Sequence, residues 1–321
     1  MTVSLFENAV ASIRLGMEDY RANDPARLLS AVRNYHSGIS LLAKEVLLRA
    51  AIELGMNAPE EILAARYKPV ISEEGEAVIV ADGHNTVDHQ GLKTRFKDFG
   101  IDASIDLLGD LSKVRNQIEH HYTDVPHDAL RAVIGKTFPL VQQLFEILEE
   151  APAARLGEAW TSMLELTAFY DAQREICQAT FKDVRWRFPF MSEIEWQCPK
   201  CQSPLLAQKN PDNTTHDDIE GNCRACGSTH DAPSVIVFGL DECFAGESYA
   251  AEKDGGDPPV GLCAECGEDA YIQTAEVNGC AWCDLVLGDC YICSTGLSPS
   301  TVSADDSKLC STCDHRLSRD D

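Results

Sequence analysis

The sequence is poor in positive charge, with 27 Lys and Arg against 52 Asp and Glu and a formal net charge of −25. A protein that grips duplex nucleic acid mainly by neutralising phosphates needs the opposite balance, so any nucleic-acid contact must be local. Long apolar runs are also missing. No stretch approaches the roughly 18 apolar residues of a membrane span, and Glu7 interrupts the apolar start that a signal peptide needs. We therefore expect a cytoplasmic protein with no membrane partner.

Cysteine is absent from the first 176 residues, whereas 14 cysteines follow, twelve of them in six CxxC pairs. Because cytosolic thiols stay reduced, this spacing predicts metal sites rather than disulfides. The length of 321 residues and the 44% hydrophobic content are those of a globular protein with two domains. A glycine-rich phosphate-binding loop is also missing. We therefore expect a helical half followed by a metal-dependent half.

The first half has the capping residues and the apolar periodicity of helices. Ser4 and Glu7 form a capping-box pattern before the first helix. Asp24 and Pro25 begin a long second helix, which Gly55 ends. These signals predict two helices that together cover about the first 54 residues.

Later segments of the first half predict a hairpin and further helices. Two short β-branched runs within residues 66–88 indicate a small β-hairpin insertion. Gly38 lowers the helix propensity of the second helix, which indicates a close crossing with another helix. The remaining helices are expected at residues 88–99, 102–122, 126–150 and 152–185.

The predicted fold is a mainly α N-terminal helical bundle with a small β-hairpin insertion, followed by small zinc-ribbon β modules. The boundaries that we expect are 1–150 for the helical domain, 151–190 for a long connecting helix, 191–232 for a first zinc ribbon, 233–259 for a strand and linker, and 260–321 for two more ribbons or one cross-braced two-zinc module.

The helix predicted at residues 102–122 carries polar side chains opposite its apolar stripe. At about 100° per residue, Asn116 and His120 project from the face opposite the stripe, and Arg115 lies on the flank. His121 falls close to the apolar face. A guanidinium can hold a phosphate through two hydrogen bonds, and an imidazole can move a proton near neutral pH. This group is a candidate site for binding or cleaving a phosphodiester.

The segment RNQIEH at residues 115–120 resembles the RNxxxH signature of the HEPN superfamily, compact helical bundles of which many are metal-independent ribonucleases. Residues 25–48 also resemble the long early helix of bacterial HEPN-like proteins, and the resemblance covers about residues 1–150. It implies that Arg115 stabilises the pentacovalent phosphate, while His120 is the acid or base during attack by the ribose 2′-hydroxyl. Asn116 would orient His120 or the phosphate. A homodimer and 2′,3′-cyclic phosphate ends are also implied.

A structural interpretation of the same residues is that Arg115 pairs with Glu119 one turn later, while the histidines only occupy a helix end. Non-catalytic HEPN-like proteins, which bind nucleotides or only dimerise, are a further alternative. His36 on the second helix is interpreted as a structural residue.

The first two CxxC pairs, Cys198/Cys201 and Cys223/Cys226, are separated by 21 residues, a spacing typical of a zinc ribbon. The other pairs are Cys263/Cys266, Cys280/Cys283, Cys290/Cys293 and Cys310/Cys313, with gaps of 13, 6 and 16 residues. Sequential pairing gives two more ribbons, whereas the short middle gap also permits a cross-brace. We favour sequential pairing because no histidine replaces a cysteine. Three structural zinc ions are expected.

Some residues of the second half are left outside the predicted zinc sites. Cys177 and Cys243 are interpreted as buried thiols, and His216 and His230 as surface loop residues.

The HEPN resemblance implies an endoribonuclease of toxin or phage-defence type that acts on RNA, and the zinc ribbons are expected to sense or position a target. The alternative is a non-enzymatic dimeric adaptor whose ribbons bind a protein or nucleic acid. Candidate contact residues are Tyr271, Trp282 and Tyr291.

Overall fold

A computed structural model describes residues 4–22, 24–73, 75–120 and 126–318 of the chain. The chain divides into two compact units, Met1–Tyr170 and Asp171–Asp321. Across the described ranges, no helix combines the length and the apolar character that crossing a bilayer requires.

The first unit is built of helices with one two-stranded antiparallel hairpin. Its helices are α1 (Leu5–Arg21), α2 (Pro25–Glu53), α3 (His89–Asp98), α4 (Leu108–His120), α5 (His127–Gly135), α6 (Phe138–Ile147), α7 (Pro152–Leu156) and α8 (Glu158–Leu164). The hairpin strands are β1 (Tyr67–Ile71) and β2 (Ala77–Ala81), with Tyr67 opposite Ala81. Helix α9 (Thr167–Ala179) spans the division between the units. The helical half and its hairpin are thus confirmed.

Helices α1 and α2 begin at the predicted caps. The Ser4 hydroxyl accepts from the Glu7 N–H at 3.1 Å, and the Asp24 carboxylate accepts from the Ala26 N–H at 2.8 Å. Each cap satisfies a backbone donor that the helix itself leaves without a partner. Gly55, in the left-handed region at φ 71°, follows the end of α2, as expected for a helix terminator.

Helices α1 and α2 cross at two glycines. A Cβ atom added to Gly16 would lie 2.7 Å from the backbone N of Tyr35, and one added to Gly38 would lie 2.5 Å from Cγ1 of Ile13. Real side chains do not approach this closely, so both positions require the absence of a Cβ. The close crossing predicted from Gly38 is confirmed, and Gly16 is its partner on α1.

Two of the predicted helices are broken. The helix expected at 126–150 is instead α5 followed by α6, because Pro139 has no backbone N–H with which to continue the hydrogen-bond pattern of α5. The long connecting helix expected at 151–190 is also wrong. It is replaced by α7, α8 and α9, with Gly157 at φ 57° separating the first two.

The second unit contains two three-stranded antiparallel sheets and two further helices. The first sheet has the order β3 (Leu206–Gln208), β4 (Glu220–Cys223), β5 (Thr229–Asp231), and the second has the order β6 (Val260–Gly261), β7 (Tyr271–Gln273), β8 (Asn278–Cys280). The helices are α10 (Ala232–Asp254) and α11 (Ser311–Leu317). In residues 289–318 the pairing consists of two isolated bridges, so this last module is not the β ribbon that we expected.

The strand expected within residues 233–259 is wrong, because Ala232–Asp254 forms helix α10. Asp231 caps this helix by accepting from the Ser234 N–H at 3.2 Å, and Pro233 occupies its first turn. Ile236 and Leu240, four residues apart, are both fully buried. A short apolar run fits a buried strand and a buried helix equally well, which explains the error.

The second unit has one shared hydrophobic core, to which all three cysteine modules contribute. Trp196 lies at its centre, only 1% exposed, and stacks on Trp186 with ring centroids 4.3 Å apart. Gly239 of α10 packs directly on this ring, since a Cβ there would lie 2.5 Å from Cζ3 of Trp196. The modules are thus joined by apolar packing as well as by their cysteines.

Candidate functional site

The twelve CxxC cysteines form three clusters of four. In each cluster, the four sulfurs all lie within 4.8 Å of one another. The clusters are Cys198, Cys201, Cys223 and Cys226; Cys263, Cys266, Cys280 and Cys283; and Cys290, Cys293, Cys310 and Cys313. Each cluster joins consecutive CxxC pairs, so sequential pairing is confirmed and the cross-braced alternative is wrong.

The spacing of the sulfurs suits a tetrahedral metal ion. The closest sulfurs of different CxxC pairs lie 3.5 to 3.8 Å apart. Four sulfurs at about 2.3 Å from one tetrahedral zinc ion lie about 3.8 Å apart, whereas a disulfide bond is about 2.05 Å long. All twelve cysteines are free thiols. Each cluster can therefore hold one metal ion.

Four of the CxxC pairs share one backbone turn. The N–H of the first cysteine donates to the carbonyl five residues later, and its carbonyl accepts from the N–H four residues later. The residue four positions after the first cysteine has a positive φ. These residues are Gln202, Gly227, Gly267 and Ser294. Glycine adopts this conformation without strain, which suits Gly227 and Gly267 to this turn.

Backbone N–H groups point at several of the sulfurs, as they do around metal-bound thiolates. The N–H groups of Trp282 and Cys283 donate to Cys280 Sγ at 3.4 and 3.3 Å. Burial raises the pKa of Cys201 to about 11. A metal that binds this cluster must therefore displace protons, so its affinity falls as the pH falls.

Beside the first cluster, His230 differs from its predicted role, and Ser228 is a contact that the sequence did not predict. His230 lies in β5 rather than in a surface loop, and its Nε2 is 3.3 Å from Cys198 Sγ and 2.8 Å from the Ser228 hydroxyl. The same hydroxyl is 3.0 Å from Cys226 Sγ. This polar pair was not predictable from the sequence, because its approach to the sulfurs depends on the pairing of β4 with β5. The two side chains can orient the thiolates of the first cluster.

Other predictions for the second unit are partly wrong. Cys177 is buried as expected, whereas Cys243 is exposed on α10. Tyr271 is fully buried, and its hydroxyl donates to Asn278 Oδ1 at 2.7 Å, so it is not available for a partner. Tyr291 is 85% exposed, as a contact residue should be. Trp282 is half-buried beside the second cluster.

The three residues of the RNxxxH motif lie in the last two turns of α4. Arg115 donates to Asn116 Oδ1 at 3.0 Å and forms an ion pair with Glu119 at 2.8 Å. His120 is exposed and is the final residue of the helix. The structure thus brings Arg115 and Asn116 together, and it forms the Arg115–Glu119 pair of the structural interpretation as well. His121 lies outside the described residues.

Arg115 and Asn116 line a polar groove of about 810 Å³ in the first unit. Its walls come from α2, from the segment that leads into α3, and from α4. Two histidines that the motif does not include, His36 and His89, also line it, whereas His120 does not. The His89 Nε2–H donates to the Ile105 carbonyl at 3.1 Å. The groove is large enough for a nucleotide.

His36 belongs to this groove and not only to the core. Its Nε2 lies 3.0 Å from the Ser112 hydroxyl, which in turn donates to the Leu108 carbonyl at 2.8 Å. Because the serine proton is already used, His36 Nε2 is the donor in this contact. This role was not predictable from the sequence, since His36 and Ser112 are 76 residues apart.

Comparisons of the chain with protein-family models, with curated proteins and with solved structures found no match.

Proposed function

We propose that the chain is a metal-independent endoribonuclease with Arg115, Asn116 and His120 as its catalytic residues. The observation that carries this proposal is the position of Arg115 and Asn116 on the wall of a nucleotide-sized polar groove. Arg115 would stabilise the charge that develops on the phosphate, and His120 would transfer the proton of the 2′-hydroxyl. The HEPN resemblance of residues 115–120 supports the same assignment.

Substrate binding has to separate Arg115 from its present partner. The Arg115 guanidinium forms an ion pair with Glu119, with Nη2 and Oε2 2.8 Å apart, so a phosphate must replace that carboxylate. His120 lies outside the groove, and a second copy of the chain would complete the site, with its own α4 placed against the first. A homodimer is therefore part of the proposal, together with a role in toxicity or phage defence.

The cysteine clusters are proposed to hold three structural zinc ions. Four thiolates at tetrahedral spacing are the donor set that zinc prefers, and three such sets are present. The ions would fix the modules of the second unit, which would then sense or position a target. They would take no part in RNA cleavage, which we assign to the helical unit.

The first prediction concerns RNA cleavage. Wild-type protein should cleave labelled total RNA during brief exposure to EDTA and leave 2′,3′-cyclic phosphate ends. Arg115→Ala and His120→Ala should each lower the rate by about 10² to 10⁴, the usual range for loss of a charge-stabilising or proton-transferring group. Zinc content and molar mass in solution are measured afterwards, to show that the metal and the dimer are retained.

Two exposed residues outside the groove serve as controls for this assay. Arg33→Ala and His84→Ala remove the same side-chain types, and they should leave cleavage within about twofold of wild type. Retained cleavage in His120→Ala would remove His120 from the mechanism. Absence of cleavage in every sample would reject the enzyme for the RNA tested.

A second candidate function is a dimeric adaptor, which the surface of the third cysteine module favours. Tyr291 and Ile292 lie between two cluster cysteines and are 85% and 48% exposed. Large exposed apolar groups on a rigid turn are typical of contact surfaces. If the chain is an adaptor, Arg115→Ala should leave partner binding unchanged, whereas Tyr291→Ala should abolish it.

A further inference from the structure

The α2 wall of the groove carries two basic side chains, His36 and Lys44, that are not among the proposed catalytic residues. His36, Ser40 and Lys44 are spaced four residues apart and line the groove together. Lys44 is half-buried, and its ammonium donates to the Thr86 hydroxyl at 2.8 Å. Among the described residues, no carboxylate lies within ion-pairing distance of this ammonium. A half-buried cation is thus held in place by a neutral group.

The carboxylates that line the groove are already engaged. Asp110 pairs with Lys113 at 3.1 Å, and Asp106 pairs with Lys93. Asp88 caps α3 by accepting from the Gly91 N–H at 2.9 Å. Asp106 and Asp110 thus have cationic partners of their own, and Asp88 is engaged by a backbone N–H.

Two cations, Arg115 of α4 and Lys44 of α2, lie on the groove wall near His36. Burial lowers the pKa of His36 to about 4, and the positive charges of Arg115 and Lys44 act in the same direction. Both cations therefore face one groove, in a chain whose net charge is −25.

We propose that the wall formed by His36 and Lys44, together with Arg115, is a binding site for the phosphate group of a nucleotide. Lys44 and Arg115 would supply the charge, while hydroxyls such as that of Ser40 and the amide of Asn116 would bond to phosphate or ribose oxygens. The groove of about 810 Å³ accommodates one nucleotide. That the phosphate belongs to an RNA substrate rests on the proposed function, whereas phosphate binding itself does not.

The test compares two lysines of the same groove in the full-length, zinc-loaded protein. Lys44→Met removes the cation without a carboxylate partner, and Lys113→Met removes the one that Asp110 already neutralises. The probes are uridine 5′-monophosphate and a short 2′-O-methyl RNA, which cannot be cleaved through its 2′-hydroxyl. Uridine serves as the probe without phosphate. Binding is measured by titration calorimetry.

We expect Lys44→Met to weaken binding of a phosphate-bearing probe about ten- to a hundredfold, the usual effect of losing a hydrogen bond to a charged group. Lys113→Met should change it less than about threefold. Binding of the mononucleotide alone would identify a free nucleotide as the ligand, whereas binding of the oligonucleotide alone would identify the RNA backbone. Either result supports the site, even if RNA is not cleaved.

Three results would overturn the proposal: no binding of either phosphate probe by wild type, equal loss of affinity in both lysine variants, or equal affinity for uridine and its monophosphate. Lys44→Met should fold, because burial disfavours the charge that it removes. If it does not fold, Thr86→Val releases the ammonium from the hydroxyl to which it donates and should weaken phosphate binding about threefold. Unchanged binding in a folded Thr86→Val would then count against the site.

Discussion

Replacing one cysteine of the second cluster, as in Cys263→Ser, should lower the zinc content from three ions to two and unfold much of the second unit. A structural zinc site supplies on the order of 10 kcal/mol of folding free energy, more than the net stability of most domains. Cys263 and Cys280 are also fully buried members of the core around Trp196. Loss of the ion would therefore expose thiols inside that core as well as release the two CxxC turns.

This result is measured by metal analysis together with near-ultraviolet circular dichroism, which reports the packing of Trp186 and Trp196. Cys243→Ser is the matched control, because that cysteine is exposed on α10 and belongs to no cluster. The control should keep three zinc ions and the wild-type spectrum. A Cys263→Ser protein that keeps its tryptophan signal would show that the second unit stays packed without the ion of the second cluster.

The second large effect is expected at the crossing of α1 and α2. Gly16→Ala should destabilise the first unit by about 1–3 kcal/mol, the usual cost of forcing extra atoms into a packed interior. A Cβ at this position would lie 2.7 Å from the backbone N of Tyr35, and a backbone cannot rotate away as a flexible side chain can. Hydrogen exchange of α1 and α2 peptides, measured by mass spectrometry, gives the loss of stability of the first unit separately from that of the second.

Gly246→Ala is the control, because it makes the same glycine-to-alanine replacement inside a helix without a close neighbour. Gly246 is inside α10, and nothing lies within 4 Å of a Cβ added there. Alanine favours the helix over glycine by up to about 1 kcal/mol, so this variant should be stabilised. If Gly16→Ala is stabilised as well, the two helices do not pack as closely as described.

The sequence predicted those parts of the fold that depend on local chemistry. Ser4 and Asp24 cap their helices because capping needs only a side chain and the next few N–H groups. The cysteine clusters were predictable for a similar reason, since a CxxC turn brings two sulfurs together whatever surrounds it. The start of α10 was not predictable in this way, because its capping residue Asp231 also ends a strand.

The groove depends on contacts between distant parts of the chain, and the sequence predicted only half of it. Arg115 and Asn116 were found from their spacing on one helix. His36 and Lys44 were missed because they reach the groove only through the packing of α2 against α4. Nothing in the sequence near Lys44 indicates that Thr86 would be its partner, 42 residues away.

The hairpin formed by β1 and β2 offers a practical site for protein engineering. None of its described residues belongs to the buried core of the first unit, and Ile71 and Ile79 are 71% and 68% exposed. Its base is nonetheless fixed, since Arg95 donates to the Ala64 carbonyl at 2.6 Å. An affinity tag or a fluorescent domain inserted after the exposed Glu73, in the turn of the hairpin, would therefore leave the apolar packing between the helices unchanged, as insertions at exposed loop tips usually do.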